Sequence, residues 1–404
     1  MSIIKPFRAV RPNENLAGEV ASVPYDVVNV AEARALAENN PHSFLHVTRS
    51  EIDLPENTDV YAVQVYQKAK ENLQNLQAEG VLIQEDTDSV YVYRLTMNGR
   101  MQTSVVAACS VDEYDHDLIK KHEKTRPDKE NDRTNHIVTT RAQTGLIFLC
   151  YRGTDAINDL ITEMTSEKPL YDFIANDEIR HEVWHVSETN DLVNAFKNVP
   201  YLYVADGHHR AASASRARQI LSEQNNGESG EYDYVIAALF PTEQLEILAY
   251  NRVVKDLNGL SDVHFVEKLS ENFTVTENVS PTPTESGTFC FYIEGQWFGL
   301  KPKFEKSALV IEGLDVSILE NCVLHPILGI GDVRTDKRID FVGGMRGTAE
   351  LEKLVDSGKF KIAFSMFPTT IEDLLNVADA DQIMPPKSTW FEPKLRDGLL
   401  IHKI

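Results

Sequence analysis

Two hydrophobic periods alternate along the chain. Val63, Tyr66, Ala69, Leu73 and Leu76 recur at helical steps, predicting a helix over 60–79 with Gly80 as its C′ residue. A second helix is expected over 30–38, ending before Asn39-Asn40-Pro41. The β-rich runs 89–96 and 102–110 flank Asn98-Gly99, the pair that a two-residue hairpin turn prefers. Further strands are expected at 144–151, 171–173, 182–186, 232–240 and 248–254, with helices near 155–167 and 189–196. From residue 257 to about 310 the pattern loosens around a Thr/Pro/Ser-rich loop, and Glu294-Gly295 reads as the turn of another hairpin.

One junction stands apart. The apolar run Tyr201-Leu202-Tyr203-Val204-Ala205 ends in Asp206-Gly207-His208-His209-Arg210, and a small-residue segment follows that predicts a helix to about Gln224. Strand, tight turn and helix in that order gather polar side chains and free backbone N–H groups at a helix N-terminus, which favours an anion. Glycine allows close approach or positive φ, and Arg210 presents a planar fork to two phosphate oxygens. A histidine can donate to phosphate, move a proton or bind a metal. The plainer alternative is a turn in which Asp206 caps the helix and Arg210 forms a surface ion pair.

Composition narrows the class. The 404 residues are 42% apolar and 25% charged, ordinary for a globular protein and enough for two domains. We expect a division near 1–256, carrying the junction, and 257–404, lending loops to the same cleft. No apolar run approaches the roughly 20 residues that span a bilayer, and residues 1–8 lack a secretory pattern. A net charge of -22 opposes nucleic-acid backbone. Cys109, Cys150, Cys290 and Cys322 are widely spaced, with no metal knuckle or disulfide framework. These features imply a cytoplasmic protein with a small-molecule substrate and no nucleic-acid or membrane partner; a homodimer is allowed.

Other segments carry candidate chemistry. Lys120–His136 concentrates cations in an acidic protein, reading equally as a lid whose Lys121, Arg126 and Arg133 neutralise polyphosphate or as a solvated charged helix. Glu19 and Asp26 lie in a nearly non-helical stretch, where a carboxylate could deprotonate an alcohol, hold a metal or serve as a cap. Lys387-Ser388-Thr389 follows two prolines and offers a cation and two hydroxyls to an anion, or simply builds a loop. There is no zincin or esterase signature and no all-protein metal cage.

Gly18-Glu19 with Val23-Pro24-Tyr25-Asp26-Val27, then Lys121-His122-Glu123 with Arg126-Pro127 and Asp132-Arg133, then Ala205–Arg210 and Met384–Thr389, together resemble the DUF1015 family over nearly the whole chain. The Asp-Gly-His-His-Arg core also resembles the ParB/sulfiredoxin-like superfamily, which includes free-serine kinases. That resemblance implies an α+β fold with a mixed-sheet nucleotide-binding core and large α/β elaborations. It implies transfer of a phosphoryl group from ATP or ADP, with Mg²⁺, to a small-molecule hydroxyl, L-serine being the leading acceptor. Gly207, His208, His209 and Arg210 would bind the phosphates, Glu19 would be the base, and Asp206 would position a cation or substrate. The alternatives are a nucleotide-binding regulator of the ParB-like superfamily, a nucleotide hydrolase or phosphatase, and a sulfiredoxin-like reductase, which needs a reactive cysteine at the site.

Overall fold

Asn98 and Gly99 adopt φ of 51° and 79° and turn Val90–Met97 back along Arg100–Ser110, with Met97 opposite Arg100. Both strands lie inside a nine-stranded sheet of a computed structural model that describes residues 2–404. Its order runs Ile119–Lys120, Leu202–Asp206, Ile147–Tyr151, Tyr234–Pro241, Arg100–Ser110, Val90–Met97, Arg180–Val186, Tyr171–Ile174, with Ile4–Lys5 pairing beside Arg100–Ser110. Leu202–Asp206 is parallel to Ile119–Lys120 and Tyr234–Pro241 is parallel to Ile147–Tyr151, while the remaining pairs are antiparallel. The fold is therefore α+β with a mixed sheet, the class that the resemblance implied.

Leu149, Val204 and Leu239 from three neighbouring strands are fully buried in one cluster with Ile157, Phe196 and Ala214 from flanking helices. Each large aliphatic side chain so buried contributes roughly 2 kcal/mol, which fixes the register of the strand leading into the site. The helix expected over 60–79 forms as Val63–Ala78, burying Val65, Tyr66, Ala69, Leu73 and Leu76, and Gly80 takes φ of 73° just beyond it. One local expectation fails. Ala17–Val20 makes a single helical turn, so Glu19 is helical, although Pro24 still keeps the following stretch open.

The chain divides into two compact units, Met1–Leu245 with Pro393–Ile404, and Glu246–Glu392. The tail belongs to the first unit because Ile401–Lys403 is an inner strand of a four-stranded sheet, between Ala9–Pro12 and Ala142–Gln143. Asp397 also exchanges backbone hydrogen bonds with Ser22. The second unit has a six-stranded antiparallel sheet containing the Phe289–Ile293 and Gln296–Pro302 hairpin, turned at Glu294-Gly295. Among the described residues no helix is long and apolar enough to cross a membrane.

Candidate functional site: an uncapped helix start beside a cationic cleft

The Leu202–Asp206 strand stops because Gly207 turns into the left-handed region, with φ 93° and ψ 28°, and serves as N-cap of the His208–Gln224 helix. The Asp206 carboxylate does not cap that helix. It accepts from the Gly207 N–H at 2.7 Å and pairs with Lys394 Nζ at 2.9 Å. Gly207, as the N-cap, has no side chain with which to accept from the N–H groups of the first turn.

Arg210 is the third residue of the helix, within its first turn. One terminal nitrogen donates to the Leu146 carbonyl, while Nε is buried without a partner. Burial works against its charge, but Asp26, Asp397 and Asp206 outweigh that and keep the guanidinium firmly protonated. Arg210 lines a cleft with Arg133, Tyr25, Thr144 and Asp397. Arg133 stacks over the Tyr25 ring at 4.1 Å and pairs with Asp132 at 2.9 Å, its side chain only 11% exposed. Arg210 and Arg133 thus bring two guanidiniums to one cleft, with Asp397 on its wall.

The acids differ from one another. Burial would raise the Asp206 pKa, but Lys394, Arg210 and the Gly207 N–H hold it well below the usual carboxylate range. Burial pushes Asp397 the other way, up to about 7, against the pull of Arg210 and Arg133 and with Asp26 adding to the rise. Gly145 makes room for it, since a Cβ there would sit 2.5 Å from Asp397 Oδ1. Exposed Asp26 acts electrostatically on Arg210, His209 and Asp397. Glu19, by contrast, is exposed and hydrogen-bonded to His42 Nδ1 at 2.8 Å.

The histidines diverge as adjacent residues on one backbone must. His209 Nε2 accepts from the Arg126 N–H at 3.1 Å, tying the turn to the cationic segment, and burial lowers its pKa. His208 is buried and meets His122 edge to face, ring centroids 4.5 Å apart. Burial lowers both, His122 to about 4. The parallel strands explain the meeting: Ile119–Lys120 and Leu202–Asp206 end on the same side of the sheet.

The cationic stretch is neither a free lid nor a wholly solvated helix. Pro127–Thr140 is helical and buries Asp132, Thr134, His136 and Ile137, which places Arg133 on the cleft. Arg126 is exposed and paired with Asp128 at 2.7 Å, and Lys121 pairs with Asp117 at 2.6 Å. Lys387, Ser388 and Thr389 lie in the second unit. There the Lys387 carbonyl accepts from Arg252 at 3.1 Å and Ser388 Oγ donates to the Pro385 carbonyl at 2.6 Å, so both help to build their loop. Sequence reading passed over Asp397 and Lys394, whose only local signal is a charge-dense tail ending in Asp397-Gly398. It also passed over the grouping of His122 and Glu123 with His208, because these come together only through strand pairing. Cys109 and Cys150 of this unit are fully buried, and burial pushes both thiols up, Cys150 to about 12.

No curated protein matches the sequence. Among solved structures, a free serine kinase in complex with AMP is similar at 13% identity, covering 73% of this chain and 91% of that one with a TM-score of 0.36. SbnI with a C-terminal truncation from Staphylococcus aureus gives 13%, 74%, 87% and 0.39 in the same terms. A conserved hypothetical protein from Pyrococcus furiosus gives 13%, 74%, 94% and 0.35. The model of the family described as "Protein of unknown function (DUF1015)" matches residues 4–317, a span holding both the Asp206–Arg210 turn and the Lys121–Arg133 stretch. The chain belongs to the DUF1015 family.

Proposed function

We propose that this protein is a nucleotide-dependent phosphotransferase that moves a phosphoryl group from ATP or ADP to a small-molecule hydroxyl, with free L-serine as the leading acceptor. The observation that carries the reading is the uncapped start of the His208–Gln224 helix, set beside a cleft lined by Arg210 and Arg133. First-turn N–H groups and two guanidiniums suit a polyphosphate, whose transfer is catalysed mainly by positioning and charge neutralisation. The choice of serine rests on the resemblance of the Asp-Gly-His-His-Arg core to free-serine kinases.

Residue roles follow from position. Arg210 and the N–H groups hold the transferring phosphoryl group, and Arg133 neutralises its neighbour. Asp206 serves as an anchor, held by Lys394, and does not act as a proton acceptor. The general base is Asp26, the exposed carboxylate whose field reaches both Arg210 and His209, in preference to Glu19, which is engaged by His42. A protein-held Mg²⁺ does not fit these donors, since His122 and His208 offer nitrogen and Asp206 is already paired. Any Mg²⁺ would therefore come as the counter-ion of the nucleotide's own phosphates.

The test is incubation with ATP or ADP, Mg²⁺ and a panel of amino acids and other alcohols, with phosphorylated product read by mass spectrometry. Asp26→Asn is expected to keep nucleotide affinity and to lower turnover by about 10²–10⁴, and Glu19→Gln to stay near wild type. Nucleotide hydrolysis with no acceptor-dependent product would replace this reading with a hydrolase. Loss of turnover in Glu19→Gln, with Asp26→Asn active, would return the base role to Glu19.

A further inference from the structure

The same corner of the first unit holds a second constellation, one that phosphate binding does not require. His122, Glu123 and His208 present ligand atoms within 4.8 Å of one another. His122 is 1% exposed and His208 is 6% exposed. Neither ring nitrogen of His122 makes a well-formed hydrogen bond, and Nε2 of His208 has no partner. Two buried imidazoles with unpartnered nitrogens, placed edge to face at 4.5 Å beside a half-exposed carboxylate, need a reason beyond packing.

We infer that His122, Glu123 and His208 form a binding site for a divalent transition-metal ion. Two imidazole nitrogens and one carboxylate oxygen are the borderline donors that Zn²⁺, Fe²⁺ and Co²⁺ prefer, whereas Mg²⁺ and Ca²⁺ select oxygen. Around a tetrahedral ion with bonds of about 2.1 Å, neighbouring donors lie about 3.4 Å apart. Ligand atoms that all lie within 4.8 Å of one another are gathered near that spacing. The Val204 carbonyl acts on the His122 ring, the kind of outer partner that orients a metal-bound imidazole.

The backbone favours the arrangement from both sides. His208 is held in the first turn of a 17-residue helix, and His122 and Glu123 follow directly on the parallel strand Ile119–Lys120. Three protein ligands leave at least one coordination position open, which is the pattern of a reactive site rather than a purely structural one. His208 stands between Gly207 and His209, so an ion here would sit at the edge of the proposed phosphate turn and could take an oxygen from a bound anion. The inference does not depend on phosphotransfer, because the donors are fixed by the fold whatever the substrate.

The experiment uses the full chain, stripped with a chelator, exchanged into chelator-free buffer and free of nucleotide. Zn²⁺ binding is measured by calorimetry, and Co²⁺ is titrated while its visible d–d bands are followed. One equivalent is expected, with affinity falling 10- to 100-fold or more in His122→Ala and in Glu123→Gln. Co²⁺ bands of tetrahedral or five-coordinate intensity should appear in the wild type and be lost in both variants. Circular dichroism checks folding, and Glu123→Gln keeps the test valid should His122→Ala fail to fold. Absence of stoichiometric binding to the folded wild type overturns the site, as does binding that both variants leave unchanged. Nucleotide affinity is measured separately with no transition metal present, so either reading can fail alone.

Discussion

Replacing Gly207 by alanine probes the turn at its tightest point. At φ 93° an L-residue is strained, and a single residue forced into the left-handed region costs roughly 1–2 kcal/mol. The added Cβ would also meet Arg210 Nε at 3.2 Å, pressing on the guanidinium that lines the cleft. Asparagine separates these two effects, since it carries the same Cβ but tolerates the left-handed region. Native-state hydrogen exchange in the first turns of the His208–Gln224 helix reads the strain locally. A loss of 1–2 kcal/mol corresponds to roughly 5- to 30-fold faster exchange. We expect Gly207→Ala to show that increase and Gly207→Asn to show clearly less of it. Both should weaken nucleotide binding by a similar factor, about tenfold for each 1.4 kcal/mol of displaced Arg210 contact. Wild-type exchange in Gly207→Ala would refute the strain argument. Wild-type affinity in both variants would show that Arg210 does not hold the ligand.

Asp397, pushed up to about 7 by burial, retains a proton in the folded chain that the unfolded chain gives up near pH 4. Stability should therefore fall, relative to Asp397→Asn, as pH rises from about 4 to 7, by at most ~4 kcal/mol. Denaturant midpoints of the two proteins that run parallel between pH 5 and 8 would contradict this. Asp206 behaves oppositely, because its depressed pKa gives stability that is present above about pH 4 and lost as pH falls below it. With side chains 31% and 17% exposed, the Asp206–Lys394 pair should show a coupling of about 1–2 kcal/mol in a cycle of Asp206→Asn and Lys394→Met, less than a fully buried pair gives. Additive single-variant effects would deny that the tail anchors the turn.

What the sequence disclosed was local. Asn98-Gly99 and Gly207 each state a backbone conformation in one or two residues, and both adopt it. The stripe from Val63 to Leu76 was legible because a helix writes its buried face at fixed spacing. Arg133 was named for the right charge, but its place on the cleft depends on how Pro127–Thr140 packs, which spacing does not encode. Lys394 and Asp397 were illegible for a stronger reason. Their partners, Asp206 and Ser22, are reached only after the intervening Glu246–Glu392 unit has been laid down. Glu19 was read as non-helical from Pro24, yet a proline restricts its immediate predecessor and leaves a helical turn four residues upstream free to form.

The return of Pro393–Ile404 to the first unit sets an order of events during synthesis. A chain emerging from the ribosome displays the Asp206–Arg210 turn long before it displays Lys394 to steady Asp206, or the strand that joins Ala9–Pro12 to Ala142–Gln143. Until then the first unit lacks an inner strand and its arginine-lined cleft lacks the Asp397 wall, while Glu246–Glu392 has its whole sheet available to fold. Nascent chains halted before residue 393 should accordingly hold a formed second unit and an unfinished first one, which Pro393–Ile404 then completes.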